Sequence, residues 1–200
     1  METNDAWARI EAWYAKQGVS DLELNPPADD AAITAAEQAM GIQFSDDFKA
    51  SLKVHNGQAN GAERFLFPGI ARLASLEAMV TQWQEEREYD QEDDALSDDE
   101  WFQLTLFHPK RVPIAGVPYW DGDNAYLDFA PGPNGVAGQL LAMTSECDFV
   151  VLAKTFTDML MQTAEMMERG DLVVEDEHLN LASGEWGGHP AETLCVAKGY

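Results

Sequence analysis

The chain has 200 residues, 46% of them hydrophobic, and its 36 acidic against 12 basic residues give a formal net charge of −24. This length and apolar content suit one compact domain, or one domain with short additions. A field of that sign repels phosphate backbones and anionic membrane surfaces and attracts cationic partners, so the composition argues against nucleic-acid and membrane binding. The acidity is also consistent with a simpler role in solubility.

The sequence favours a reduced, cytoplasmic protein without a metal. Its first residues lack the basic and apolar regions of a secretory signal, and no run of about 18 apolar residues suits a membrane span. Cys147 and Cys195 lie far apart and outside any CxxC pair, which argues against a zinc site or a disulfide scaffold. The four histidines share no metal-ligand spacing, and neither HExxH nor GxSxG occurs. We therefore expect a protein that is not an enzyme and needs no cofactor.

Apolar residues recur at helical spacing in four segments of the first half of the chain. The first begins at residue 4, and the other three begin near a capping residue, at Asp29 or Asp30, at Ser45 and at Ser75. Glycine signals end the first three, at Gly18, Gly41 and the Asn56-Gly57 pair. The sequence therefore predicts four helices before the composition changes.

The acidic segment, residues 85–100, differs most from the pattern of a folded element. Its sequence EEREYDQEDDALSDDE contains ten acids and a single base, Arg87. Such a block repels itself and buries little apolar surface, so we expect a solvated loop or a frayed helix end.

Residues 111–153 predict a sheet, because RVPIA, NAYLDFA, GQLLAM and FVVLA are short β-type runs separated by turn residues. A long helix should follow over about residues 155–168, where Thr155 and Asp158 resemble a capping box and Gly170 ends the helix. This order predicts an α+β fold. We expect a single domain whose central, mostly antiparallel sheet of short strands is flanked by N-terminal helices and a long C-terminal helix.

The stretch WDGDNAYLDFAPGPNG, residues 120–135, brings several aspartates together beside aromatic residues. Asp121 and Asp123 fit the first positions of a calcium loop, but Ala125 and Tyr126 stand where that loop needs an oxygen ligand and a glycine. Turn chemistry explains the stretch better, since Gly, Asn and Asp accept left-handed backbone conformations.

We therefore predict a hairpin turn in which Gly122 has a positive φ and the aspartates, including Asp128, remain solvated. The alternation of Tyr126 and Asp128 with Leu127 and Phe129 predicts a strand with one buried face.

Four segments taken together resemble the SUKH superfamily, named partly for a fungal cell-wall-synthesis regulator and common among bacterial toxin-immunity proteins. They are AAITAAEQAMGIQFSDDFKASLKVHNGQ, FLFPGIARLASLEAMVTQW, VPIAGVPYWDGDNAYLDFAPGPNGVAGQLLAM and VVLAKTFTDMLMQTAEMMERG, in that order between residues 31 and 170. The family often has Leu-Pro where this chain has Phe44-Ser45. The resemblance suggests a helical extension over residues 1–24, a SUKH-like domain over residues 25–181 and a loosely held tail over residues 182–200.

The resemblance implies a non-enzymatic domain that binds another protein. In bacteria this is usually an immunity protein that neutralises a toxin, and the negative charge suits a basic toxin such as a nuclease. A regulatory or scaffold module with no toxin partner is the alternative, and an acidic metal-dependent hydrolase is a more distant one.

The predicted partner surface combines the acidic segment, the aromatic residues beside it and the hairpin turn. Its members are Trp83, Glu85, Glu86, Glu88, Tyr89, Asp90, Glu92, Asp93, Asp94, Asp98, Asp99, Glu100, Trp101, Tyr119, Trp120, Asp121 and Asp123.

Overall fold

The computed structural model describes residues 2–68, 70, 72–89, 100–103, 105–117, 120, 124–143, 149–175 and 178–183. The helices are α1 (Glu2–Lys16), α2 (Asp30–Met40), α3 (Asp46–Leu52), α4 (Leu76–Glu86) and α5 (Phe156–Arg169). The strands are β1 (Arg72–Leu73), β2 (Arg111–Val117), β3 (Asn124–Asp128), β4 (Gln139–Met143), β5 (Phe149–Ala153), β6 (Leu172–Glu175) and β7 (His178–Leu181).

Strands β1 to β5 form one antiparallel sheet in chain order, and β6 pairs with β7 in a separate hairpin. This arrangement confirms the predicted α+β fold with helices before the sheet and a long helix after it. The β6–β7 hairpin was not predicted, although Leu172, Leu179 and Leu181 join the core.

Helix starts follow the predicted capping chemistry. Asp29, Ser75 and Thr155 each accept a hydrogen bond from a backbone N–H in the first turn of α2, α4 and α5. Ser45 precedes α3 without such a bond, and α3 ends at Leu52, before the predicted Asn56-Gly57 stop. Sequence signals therefore located the helices to within a few residues.

The helices cover the first face of the sheet. The strand residues of that face are small or branched and buried: Val112, Ile114, Ala125, Leu127, Leu140, Ala142 and Leu152. Together with apolar residues of all five helices they form the main hydrophobic core.

Helix α1 is part of this core. Trp7 is buried and its Nε1 donates to Ser51 Oγ at 2.8 Å, while Tyr14 Oη donates to the Leu66 carbonyl at 3.0 Å. Helix α1 is also joined to α5, because the Arg9 guanidinium donates two hydrogen bonds to the carboxylate of Glu168. The proposed division at residue 24 therefore follows the sequence pattern and does not coincide with a break in packing.

The second face of the sheet is also covered. A smaller cluster contains Phe102, Tyr126, Leu141, Met143, Phe149 and Val151, with half-buried Trp101 and Leu106 packed against it. Every residue of β3 and β4 is buried, so the prediction of one buried face was wrong. The physical reason is that Trp101, Phe102 and Leu106, which follow the acidic segment, lie over the face expected to meet solvent.

Within the described residues, no helix is both long enough and apolar enough to cross a membrane.

Candidate interaction surface

Helix α4 presents a polar stripe to solvent. Its N-cap is Ser75, and its inward residues Leu76 and Met79 pack in the core. Glu77, Thr81 and Glu85 are exposed and recur every four residues, so they share one side of the helix.

An open groove of about 300 Å³ runs beside this stripe. The residues that line it come from α4, from the chain before it and from the β2–β3 connection: Asn60, Ser75, Glu77, Ala78, Thr81, Gln82, Glu85 and Trp120. Two residues from different parts of the predicted partner surface, Glu85 and Trp120, therefore line the same groove. We call it the α4 groove.

The backbone holds Trp120 in place within the groove wall. Its φ of 51° lies in the left-handed region, which is costly for a bulky residue. The Trp120 N–H donates to the Gly116 carbonyl at 2.9 Å, and Asn124 Nδ2 donates to the Trp120 carbonyl at 3.4 Å. A Cβ at Gly116 would lie only 2.4 Å from Trp120 Cε3, so the indole occupies the space that the glycine leaves.

The other predicted aromatic residues lie at the end of α4 and beyond it. Trp83 Nε1 donates to the Pro109 carbonyl at 3.2 Å, and the Arg87 guanidinium lies 5.2 Å from the Trp83 ring. Tyr89 is 62% exposed and its ring centre lies 5.3 Å from that of Phe107. Of these aromatics, Tyr89 offers the most surface to a partner.

Three predicted acidic residues are exposed as expected: Glu85, Glu88 and Glu100. Glu100 accepts a hydrogen bond from Asn134 Nδ2 at 3.1 Å. Trp101 is half-buried and covers the second face of the sheet.

The remaining predicted members lie outside the described residues: Asp90, Glu92, Asp93, Asp94, Asp98, Asp99, Tyr119, Asp121 and Asp123. Gly122, for which a positive φ was predicted, also lies outside them.

Glu86 corrects the predicted surface, because only 1% of it is exposed. Its Oε1 accepts from Tyr126 Oη at 3.0 Å and from Gln82 Nε2 at 3.3 Å. Burial raises the pKa of Glu86 to about 7, against hydrogen bonds from Gln82 and Tyr126 and the charge of Arg87, which lower it. Glu86 is therefore a buried structural group and does not belong to the surface.

Asp128 is likewise buried, so the prediction that it remains solvated was wrong. In the sheet it lies opposite Arg111, whose Nε is 3.6 Å from Asp128 Oδ1. The second oxygen, Oδ2, accepts from Gln139 Nε2 at 3.2 Å. A buried cation thus neutralises the carboxylate in place of water.

The same arginine anchors the segment that covers the second face. Arg111 donates to the carbonyl oxygens of Gln103 and Thr105, and Arg87 donates to that of Phe107. Gln139 Nε2 donates to the Trp101 carbonyl at 2.8 Å. Residues 101–103 and 105–107 are therefore held by backbone carbonyls as well as by the apolar packing of Trp101, Phe102 and Leu106.

Groups suited to catalysis are not assembled in the described part of the chain. It contains no set of three His, Cys, Asp or Glu side chains that converge as metal ligands. His55 is an example of a structural histidine: Nε2 lies 2.9 Å from Glu11 Oε1, and the ring packs edge-on against Trp7 at 5.0 Å. The groove instead offers carboxylates, hydroxyl and amide groups and an indole, which suit binding.

Sequence reasoning missed Glu77, Thr81 and Gln82 as groove residues. Their polar character at helical spacing was visible in the sequence, but a polar helix face is usually only solvated. The opposing wall, Trp120, is more than 30 positions away in the chain, and no local pattern relates it to α4.

Three fungal proteins are similar to this chain. The cell wall assembly regulator SMI1 of Saccharomyces cerevisiae is 24% identical over 92% of this chain and 44% of its own length. The glucan synthesis regulatory protein of Neurospora crassa is 23% identical, over 86% and 40%. The cell wall biosynthesis/cell cycle regulator smi1 of Schizosaccharomyces pombe is 26% identical, over 89% and 38%. The chain therefore spans about two fifths of the length of these relatives.

The family assignment rests on a larger continuous match. Residues 27–162, well over half of the chain, match the SMI1 / KNR4 family (SUKH-1) and include α2 to α4, the whole five-stranded sheet and the first half of α5. The predicted resemblance is confirmed, and the chain belongs to the SMI1 / KNR4 family (SUKH-1).

Proposed function

We propose that this chain is a non-enzymatic protein-binding module with a regulatory role. The observation that carries the proposal is its similarity to three proteins that are named as regulators of cell wall assembly, glucan synthesis or the cell cycle. A regulator can act through contacts with other proteins alone, so a domain without a reaction centre is sufficient for the role.

The chemistry of the surface supports a basic partner. The chain carries a net charge of −24, and exposed carboxylates at Glu77, Glu85 and Glu88 lie on or next to α4. Complementary charge raises the rate of encounter, while an aromatic anchor slows dissociation. Trp120 and Tyr89 are the described aromatic residues placed to provide such an anchor.

A bacterial immunity role is a second candidate, and the net charge favours it because an acidic protein is suited to block a cationic toxin. The names of the similar proteins support the regulatory role over this one. The two candidates differ in the partner, since a toxin has an activity that the chain would inhibit and a regulatory partner does not.

Absence of catalysis and of any metal is part of the proposal, as is a cytoplasmic site of action. Elemental analysis of the purified chain should find no stoichiometric metal, and chelation should leave the melting temperature unchanged. A stoichiometric metal together with a large loss of thermal stability on chelation would contradict the proposal.

The decisive experiment is capture followed by reconstitution. The immobilised chain is incubated with a lysate of its source cells, and each retained protein is expressed, purified and titrated into the chain by calorimetry. We expect a stoichiometric complex with a basic protein, and loss of an enzymatic activity of that protein on binding would identify it as a toxin. If no purified candidate binds again, the protein-binding function is wrong.

A further inference from the structure

The α4 groove contains two carboxylates whose charge is not neutralised within the described protein. Glu77 and Glu85 are exposed, line the groove and form no ion pair or side-chain hydrogen bond with any described residue. They are eight positions apart on one helix, so a rise of 1.5 Å per residue separates them by about 12 Å. The groove therefore has negative charge at two points along its length.

Trp120 adds an aromatic wall beside these charges. The indole is only half-buried, and its backbone is fixed by hydrogen bonds to Gly116 and Asn124, so it offers a positioned apolar surface to the groove. An indole is the aromatic ring that attracts cations best, and a guanidinium can stack on it while its N–H groups bind a carboxylate. Thr81 and Gln82, which lie between the two carboxylates, can hydrogen-bond a partner backbone.

We infer that the α4 groove is the docking site for an arginine-bearing segment of a protein partner. The guanidinium contacts the Trp120 indole and is neutralised by Glu85, and a second basic side chain about 12 Å away reaches Glu77. The inference rests on the proposed protein-binding function and specifies its surface and the chemistry of its partner. Charge complementarity argues for this occupant, since a second copy of the chain would bring another charge of −24 to an acidic groove.

A designed peptide tests this inference without knowledge of the natural partner. The probe is a glycine–serine peptide with two arginines four residues apart, which are separated by about 13 Å in an extended chain. A second peptide has lysines at the same positions. Each is titrated into the full chain labelled with nitrogen-15, at about 0.15 M ionic strength, where the Debye length of about 8 Å limits non-specific attraction.

On addition of the arginine peptide, we expect changes in NMR chemical shift at the Trp120 indole N–H and at the backbone amides of Thr81, Gln82 and Glu85. The arginine peptide should bind at least about threefold more tightly than the lysine peptide, because only the guanidinium combines stacking with a forked hydrogen bond. Trp120→Gly should weaken binding of the arginine peptide by about threefold or more, as expected for loss of a cation–π contact at a partly exposed site.

Trp120→Gly is chosen because glycine adopts a φ of 51° without strain, so loss of the indole is not confounded by the backbone. Trp120→Phe provides a second variant that keeps a weaker aromatic surface and should bind with intermediate affinity.

A charge-matched pair of variants separates groove binding from general attraction to an acidic protein. Glu77→Gln with Glu85→Gln should weaken binding by roughly threefold or more. Glu165→Gln with Glu175→Gln removes the same charge from exposed positions outside the groove and should change the affinity by less than about twofold.

The inference would be overturned if the two double variants changed the peptide affinity equally, or if the chemical-shift changes were confined to residues outside the groove. The proposed function fails in a different way, when no purified candidate partner binds the chain. If a purified natural partner binds the chain but does not compete with the peptide for the groove, the inference is wrong and the protein-binding function stands.

Discussion

Tyr126 Oη donates a 3.0 Å hydrogen bond to Glu86 Oε1, and this bond joins the C-terminal end of α4 to the buried second face of β3. The other carboxylate oxygen of Glu86 is buried without a hydrogen-bond partner among the described residues. An ionised carboxylate in this position is costly, which is why burial raises the pKa of Glu86 to about 7.

The raised pKa of Glu86 predicts a pH dependence of stability. Between the ordinary value of 4.5 and about 7, the folded state holds a proton that the unfolded state has released. The contribution of Glu86 to the free energy of unfolding is therefore present below pH 4.5 and is lost as the pH rises through about 7. We expect the free energy of unfolding, measured with urea, to decrease by roughly 1–3 kcal/mol between about pH 5.5 and 8.

Glu86→Gln should flatten this decrease, since the amide does not titrate and its oxygen still accepts from Tyr126. Glu88→Gln is the control. Glu88 lies two positions after Glu86 and its side chain is exposed, so removing its charge should leave the change of stability with pH as it is in wild type. Equal slopes for wild type and Glu86→Gln would show that Glu86 is ionised in the folded protein at the lower pH.

The Arg111–Asp128 pair predicts a large loss of stability when either charge is removed alone. Asp128→Asn leaves a guanidinium buried without its counter-charge and should cost about 3–5 kcal/mol. Combining Asp128→Asn with Arg111→Met should cost less than the sum of the two single changes. Urea unfolding of the four proteins in this cycle measures the coupling, and additive losses would contradict a direct electrostatic interaction.

Gly116→Ala should destabilise the protein because its Cβ would lie 2.4 Å from both Trp120 Cε3 and Asn124 Oδ1. We expect a cost of about 2–4 kcal/mol from the clash together with the positive φ. Gly61 is the control: its φ is +85° but no atom lies within 4 Å of an added Cβ, so Gly61→Ala should cost only about 1 kcal/mol. Similar melting temperatures for the two variants would mean that Trp120 does not pack on Gly116.

The packing of α1 predicts that the first 24 residues are needed for folding, although they precede the family match. Trp7→Ala should cost about 3–5 kcal/mol, since the indole is 1% exposed and packs on Phe67 and His55. Trp83→Ala, at a half-buried position, should cost much less. Deletion of residues 1–24 should abolish cooperative thermal unfolding, and a stable truncated domain would contradict the role given to α1.

The acidic segment predicts a salt-dependent association with a basic partner. Changing Glu92, Asp93, Asp98 and Asp99 to their amides should slow association, and the difference should shrink as the Debye length falls from about 10 Å at 0.1 M to about 3 Å at 1 M salt. The control is a variant in which Glu2, Asp5, Glu165 and Glu175 are changed to their amides, because it loses the same net charge outside the acidic segment. Identical association rates for the three proteins at low salt would exclude a steering role for the acidic segment.

Local signals in the sequence were sufficient for the helices and the main sheet. Asp29, Ser75 and Thr155 cap helices where the sequence predicts it. The runs NAYLDFA, GQLLAM and FVVLA contain strands β3 to β5, and RVPIA forms the first five residues of β2. Capping and strand propensity act over a few residues, so they can be recognised without knowledge of the tertiary structure.

The buried polar groups could not be predicted in the same way. Asp128 alternates with apolar neighbours as a solvated residue does, and it is buried because strand register places Arg111 opposite it. Glu86 lies in a run of acids, yet the turn of α4 directs it to Tyr126, 40 positions later. Covering of the second face depends on Trp101, Phe102 and Leu106, whose spacing has no periodicity. These features arise from contacts between distant segments.

The hydrogen bonds that anchor residues 101–103 and 105–107 have a consequence for sequence variation. Arg87, Arg111 and Gln139 bind carbonyl oxygens, and every amino acid supplies one, whatever its side chain. Substitutions at Gln103 or Thr105 thus preserve the anchoring bonds, whereas loss of Arg111 removes two of them. The anchoring therefore depends on the identity of Arg87, Arg111 and Gln139 and not on which side chains stand at positions 103 and 105.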